Sequence, residues 1–314
     1  MRAAEIPAPG RPPEITDREP PEPGPGEVVV AVRAAPITPL DLLCASGTSY
    51  FGVPRTPYVP GVQGVGTVDG RAVWFPTSAG MTPGDGSMAA LACVPEADLV
   101  ALPPDVDPVR LAALGLSAVA AHRALTSTGG LTAGETVIVL GAGGVVGQVA
   151  VQLARLAGAA RVVAGARSAA AQERARSAGA DAVVALDTND VAELGARFAE
   201  AAGGAADLVL DPLYGVPAAA AARALGPGGR LVNLGGSAGE TSPLDSSTLR
   251  SRSLRVLGYT NNALTREDRA ESITHLAAAQ SLSVAHERVP LDEAAAAWER
   301  QAAGGAEGRI VLVV

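Results

Sequence analysis

Residues 136–168 read TVIVLGAGGVVGQVAVQLARLAGAARVVAGARS: an apolar run (137–140), a glycine-dense turn, a segment apolar at helical spacing (about 145–156), and a second apolar run (161–164). A short run that is apolar at every position fits a strand buried on both faces, whereas apolar residues three and four apart mark one side of a helix. The alternation continues to residue 259. It predicts strands at 137–141, 161–165, 182–186, 207–211, 230–235 and 254–259, with helices between them, notably 169–178, 191–202 and 216–225. A helix-period segment at 111–125 leads in. Strand–helix alternation of this kind predicts a parallel sheet covered on both faces, and six strands complete a doubly wound sheet.

Before residue 110 the texture differs. Short β-type runs at 28–32, 64–68, 71–75 and 88–94 alternate with Gly/Pro turns, which predicts a small, mostly antiparallel β-domain. The Pro/Gly/Glu-rich stretch 7–26 is expected to be a surface loop. The tail predicts helices near 267–280 and 291–302 and a last strand at 309–314. The fold class is therefore α/β: a doubly wound parallel sheet with a second, mostly antiparallel β-domain.

The 314 residues allow two domains, and an apolar share of 48% is ample for a core. Aromatics are only 3%, so alanine, valine and leucine must fill that core. A net charge of −8 without any basic run argues against nucleic acid or a membrane surface as the main partner. All 24 basic residues are arginine, which excludes chemistry through a lysine Schiff base. Two cysteines, Cys44 and Cys93, form no disulfide framework, and the first residues lack an apolar signal core. These features lead to the expectation of a cytoplasmic, soluble chain.

The glycine turn carries the chemistry. In a GxGxxG frame the positions fall on Ala142, Gly144 and Gly147, with Gly141 and Gly143 as extra glycines. A glycine turn between a strand and a helix lets a pyrophosphate approach the backbone, where free N–H groups at Val145, Val146 and Gly147 and the helix dipole meet the anion. An acid at the end of the second strand would accept the ribose 2′-hydroxyl of NAD. Here the chain reads Ala164-Gly165-Ala166-Arg167-Ser168, and an arginine beside a hydroxyl suits a 2′-phosphate instead. NADPH is the expected cofactor, with Arg174 and Arg176 adding positive potential. Topology also nominates the later strand ends, at 211–213, 234–236 and 259–261.

Several segments together resemble the medium-chain dehydrogenase/reductase superfamily, and within it the zinc-free quinone oxidoreductase-like branch. They are PEPGPGEVVVAVRAAPITPLDLLCASG (21–47), PYVPGVQGVGTV (57–68), the 136–168 unit, DLVLDPLYG (207–215), GPGGRLVNLGG (226–236) and RVPLDEAAAAWERQAAGGAEGRIVLVV (288–314). The resemblance implies a Rossmann-type nucleotide domain at 111–262. It implies a discontinuous GroES-like substrate domain from 1–110 and 263–314, and a subunit that commonly dimerises. Beside Leu234, Gly235 and Gly236, which topology nominates, it places Tyr259 and Thr260 at the nicotinamide end and Arg309 within reach of the cofactor.

At the positions where zinc-dependent relatives carry ligands, this chain has Thr38, Val62-Gln63 and Leu114, and valine and leucine cannot bind zinc. Simple alcohol oxidation is then disfavoured, because no metal lowers the alcohol pKa. Hydride from NADPH still suits a quinone or the β-carbon of an α,β-unsaturated carbonyl, whose oxygen needs only hydrogen-bond donors as charge develops. Tyr50 stands where the resemblance implies a substrate-facing phenol, while Thr38 and Gln63 are candidates to line the vacated metal pocket. Asp41 is expected to fix a loop. Two other readings stay open: a tailoring oxidoreductase for a bulky natural-product intermediate, and an NADPH-binding protein without turnover.

Overall fold

Strands β1 (Arg2–Glu5) and β2 (Glu14–Asp17) pair antiparallel, with Arg2 opposite Asp17 and Glu5 opposite Glu14, in a computed structural model that describes all residues 1–314. The stretch 7–26, expected to be a loop throughout, thus contains a strand. A four-residue strand between prolines leaves no readable period, and the prolines flank its ladder rather than interrupt it. The chain divides into two compact units: Met1–Gly115 with Arg266–Gln280 and Val284–Val314, and Leu116–Thr265 with Ser281–Ser283.

The first unit continues with β3 (Glu27–Pro36), α1 (Pro39–Ser46), β4 (Gln63–Val68), β5 (Arg71–Pro76), β6 (Leu91–Pro95) and β7 (Val100–Ala101). Helix α1 starts with a reciprocal cap, in which Thr38 and Asp41 each accept from the other's backbone N–H and Pro39 opens the first turn. Helix α2 (Pro108–Arg123) is broken at Gly115, whose φ of 37° and ψ of −140° lie outside the helical region. A Cβ there would fall 2.2 Å from the amide oxygen of Gln63, so both backbone angle and space demand glycine.

The second unit holds β8 (Thr136–Leu140), α3 (Val145–Leu156), β9 (Arg161–Ala166), α4 (Ala169–Ser177), β10 (Ala182–Ala185), α5 (Val191–Ala202), β11 (Ala206–Asp211), α6 (Gly215–Arg223), β12 (Leu225–Asn233), α7 (Ser246–Ser251) and β13 (Arg255–Gly258). Its six strands are all parallel, in the order β10-β9-β8-β11-β12-β13. The order reverses between β8 and β11, the place where an open α/β sheet leaves a crevice at its carboxyl edge. Ile138, Leu140, Val163, Leu194 and Phe198 are buried beneath it, and Ala218–Ala222 of α6 pack as small side chains in place of the missing aromatics. Full burial of a leucine or phenylalanine stabilises the fold by about 1.5–3 kcal/mol.

The chain then returns to the first unit through α8 (Arg266–Ala278), β14 (His286–Pro290), α9 (Ala294–Ala302) and β15 (Arg309–Val313). β15 pairs antiparallel with β3 and parallel with β14, completing a sheet ordered β14-β15-β3-β4-β5-β7, with β6 also on β3. Ile6, Ile37, Phe75, Met88, Trp298 and Leu312 are buried in its core. No helix is long and apolar enough to cross a membrane.

Candidate nucleotide site

The turn after β8 is held by backbone bonds. The N–H of Ala142 donates to Gly165 O at 3.1 Å and that of Gly144 to Gly141 O at 2.9 Å. Gly144 is the N-cap of α3 and brings no side chain to it. The N–H groups of Val145, Val146 and Gly147 open the helix, where no intrahelical acceptor exists for them.

The glycines of this turn have different reasons to be glycine. A Cβ on Gly147 would stand 2.4 Å from Gly141 O, and one on Gly143 would stand 2.3 Å from the Cβ of Ala171. Packing forbids both. A Cβ on Gly144 would meet only Gly141 O, at an ordinary 3.4 Å. The fold tolerates a side chain there, so the bare backbone at Gly144 serves whatever approaches the turn.

Gly144, Arg167, Arg174, Thr188, Asn189 and Ser237 are among the walls of a cleft of about 600 Å³, which Gly141 and Gly143 also line. Arg167 follows the last residue of β9, is exposed, and its guanidinium has no acceptor in the protein. Arg174 reaches back from α4, and its Nε donates to Gly143 O at 2.9 Å. Arg176 pairs with Glu173 at 3.3 Å and is not part of the cleft wall. Ser168 is the N-cap of α4 and accepts from the N–H of Ala171 at 3.2 Å.

Beyond the cleft, the ends of β11 and β12 are tied together. Asp211 is fully buried, which pushes its carboxyl up, while the N–H groups of Tyr214 (2.8 Å) and Leu213 (2.9 Å) and the Asn233 amide (3.0 Å) pull the other way. Asn233 also donates to Gly235 O at 2.8 Å, which fixes the turn through Leu234, Gly235 and Gly236. The N–H of Tyr259 donates to Asn233 O, its hydroxyl donates to Asn261, and Thr260 caps the short turn Asn261–Ala263. Of the expected contacts, Gly141, Gly143, Gly144 and Arg167 line the cleft, whereas Val145, Val146, Gly147, Ser168, Leu234–Gly236, Tyr259 and Thr260 lie outside its walls. Thr188 and Asn189 went unmarked in the sequence. They follow β10, and the rule that ligands gather at carboxyl strand ends was the available signal.

The other expected residues lie in the first unit. Asp41, 2% exposed, accepts at one oxygen from the N–H groups of Gly61 (3.1 Å) and Val62 (2.9 Å) and at the other from the N–H (2.8 Å) and hydroxyl (2.6 Å) of Thr38. Burial raises its carboxyl, while these donors and the charge of Arg309 oppose that shift. Arg309 is itself buried, donates to Ile37 O at 3.0 Å, and is pushed down to about 10 by desolvation against the pull of Asp41. Gln63 is buried beneath Trp74, whose indole N–H donates to its amide oxygen at 3.2 Å. Thr38, Gln63 and Arg309 therefore spend polar atoms on the scaffold. Tyr50 is different: it is 76% exposed, with its ring against Phe51 at a centroid distance of 4.2 Å. No group of three or more His, Cys, Asp or Glu side chains is arranged to hold a metal ion.

Residues 145–278 match the family described as zinc-binding dehydrogenase. A quinone oxidoreductase of Lama guanicoe is 29% identical over 311 residues, covering 92% of this chain and 89% of the relative. The spectinabilin polyketide synthase system protein NorB of Streptomyces orinoci is 35% identical over 218 residues, covering 67% of this chain but 9% of that much longer protein. Among solved structures, the quinone oxidoreductase of Thermus thermophilus, whose complex with NADPH is also described, superposes with a TM-score of 0.83 at 30% identity over 100% of both chains.

Proposed function

The chain belongs to the medium-chain dehydrogenase/reductase superfamily, and on that premise we propose that it is an NADPH-dependent reductase that needs no zinc. Its hydride acceptor is a quinone or the C=C of an α,β-unsaturated carbonyl. The observation that carries this reading is Arg167, an unpaired guanidinium on the cleft beside the glycine turn, where β9 ends without an acid.

The residues fit this cofactor. Gly144 leaves open space, Val145, Val146 and Gly147 offer backbone donors to the pyrophosphate, and Arg167 offers a fork of donors to the 2′-phosphate. When bound, NADPH supplies the hydride. The chain's own task at the acceptor is to meet charge that develops on a carbonyl oxygen. We assign Tyr50 to that task, since it stands exposed at the position where the resemblance implies a substrate-facing phenol, whereas Thr38 and Gln63 are buried. Arg309 and Asp41 are assigned to positioning, because Arg309 ties the start of β15 to residue 37 and Asp41 ties the start of α1 to residues 61–62. The side chains Thr38, Val62, Gln63 and Leu114 offer no zinc-ligand set, which supports a reaction without metal.

The proposal extends to a homodimer. β13 pairs on one side only, with β12, and exposes Val256 on its open edge, a strand edge suited to meeting its own copy. A second reading of the acceptor is favoured by the 35% identity to NorB: a tailoring reductase for a natural-product intermediate. An activity panel separates them. NADPH oxidation by simple quinones or simple enones supports the first, turnover of bulky enones alone supports the second, and no turnover with any of these contradicts both. Stoichiometric zinc found by elemental analysis would contradict the metal-free reaction.

A further inference from the structure

Arg174 is the residue of the cleft whose chemistry the reading above leaves unused. It is half-buried on the cleft wall, one of its five N–H groups is spent on Gly143 O, and the Nη groups have no partner in the protein. Gly143 O also accepts from the amide of Gln148, at 3.0 Å, and Gln148 is buried. Two side-chain donors thus hold one carbonyl of the phosphate turn. A carbonyl so held is kept from turning toward the anion that the neighbouring N–H groups attract.

Resting on the NADPH reading of the cleft, we propose that Arg174 sets cofactor specificity in two ways at once: its Nη groups meet the 2′-phosphate beside Arg167, and its Nε bond couples that contact to the geometry of the pyrophosphate turn. The side chain expected for the phosphate's second contact, Ser168, caps α4 by accepting the N–H of Ala171 and is not on the cleft wall. Arg167 has no anchor, so its position is set by the phosphate alone. Arg174 is pre-aligned by Gly143, and a guanidinium held in place loses less freedom when it binds. Gln148 shares the carbonyl but is absent from the cleft wall, so it separates the two roles within one turn.

The test is calorimetric titration of NADPH and NADH into the wild type, Arg174→Met and Gln148→Met, with melting temperatures recorded without ligand. Arg174→Met is expected to weaken NADPH by about tenfold or more and NADH by only a few-fold, as for loss of a charge-assisted hydrogen bond. Gln148→Met is expected to weaken both nucleotides by the same small factor. Equal losses of the two nucleotides in Arg174→Met, or no loss of either, overturn the proposal. If Arg174→Met does not fold, Arg174→Lys keeps the charge without the fork and must lie between wild type and Arg167→Ala in its NADPH preference; an unchanged preference overturns the proposal equally. Failure of the wild type to bind NADPH would instead strike the reading on which this rests.

Discussion

The carboxylate of Asp41 accepts the backbone N–H of Val62 at 2.9 Å, joining the start of α1 to the loop before β4 across 21 positions of sequence. The same side chain satisfies Gly61 and Thr38, so its removal strands several buried donors near the Arg309 charge. Asp41→Ala is expected to destabilise the protein by about 3 kcal/mol or more, measured by urea unfolding. A loss below about 1 kcal/mol would contradict this positioning role.

Gly144 and Gly147 are three residues apart and should respond oppositely to alanine. Gly147→Ala drives a methyl against Gly141 O and is expected to lower the melting temperature by several degrees. Gly144→Ala fits the fold, costing about 1 kcal/mol at most as an N-cap, yet intrudes on the phosphate path. Its expected signature is weak NADPH binding in a protein that melts almost normally. Normal binding would contradict the assignment of the turn.

Stability should fall in acid partly through Glu135. Burial alone would raise its carboxyl, but Arg230 at 2.6 Å and the N–H of Thr132 at 3.0 Å outweigh burial and hold it below the usual carboxylate range. The unfolded chain then takes up this proton at a higher pH than the folded one, so the contribution is complete above about pH 5 and is lost as the pH falls further. Glu135→Gln is expected to be less stable at pH 7 and to show a flatter decline toward pH 3 in denaturant titrations. An unchanged slope would contradict the pairing.

The thiols should separate by burial. Cys44 is fully buried, and desolvation foremost pushes its thiol up to about 11, so very little thiolate exists at pH 8. A thiol reagent at that pH is expected to modify at most Cys93 in the native protein and both cysteines after unfolding. Rapid native modification of Cys44 would contradict its placement on the buried side of α1.

Charge on the open edge of β13 tests the dimer. Val256→Asp is expected to shift the sedimentation coefficient from that of a dimer to that of a monomer, with a lower melting temperature only at protein concentrations where the wild type is dimeric. A wild type that sediments as a monomer would contradict the association.

The parallel sheet was legible because buried strands read as unbroken apolar runs, as at 137–140 and 161–164, and because glycine density marks the turn between them. The β1–β2 ribbon was not, since pairing of Arg2 with Asp17 is a property of two short segments neither of which repeats. Helix α1 had a signal that went unused: Thr38-Pro39 with Asp41 three residues after the cap is a capping pattern written in sequence. At the site, Arg167 stood where strand counting put it. The roles of Thr38 and Gln63 were not legible, because a hydroxyl or an amide reads the same whether it faces a ligand or, as with Gln63, the Trp74 indole. Arg174 was visible only as positive potential; its bond to Gly143 O spans 31 residues and depends on the fold.

Titration of NADPH and NADH into the wild type and Arg167→Ala tests the central claim most directly. The account predicts that the wild type prefers NADPH by about tenfold or more, and that Arg167→Ala loses that preference while NADH binding is spared. Equal affinity of the wild type for both nucleotides, or a proportional loss of both in the variant, would contradict it.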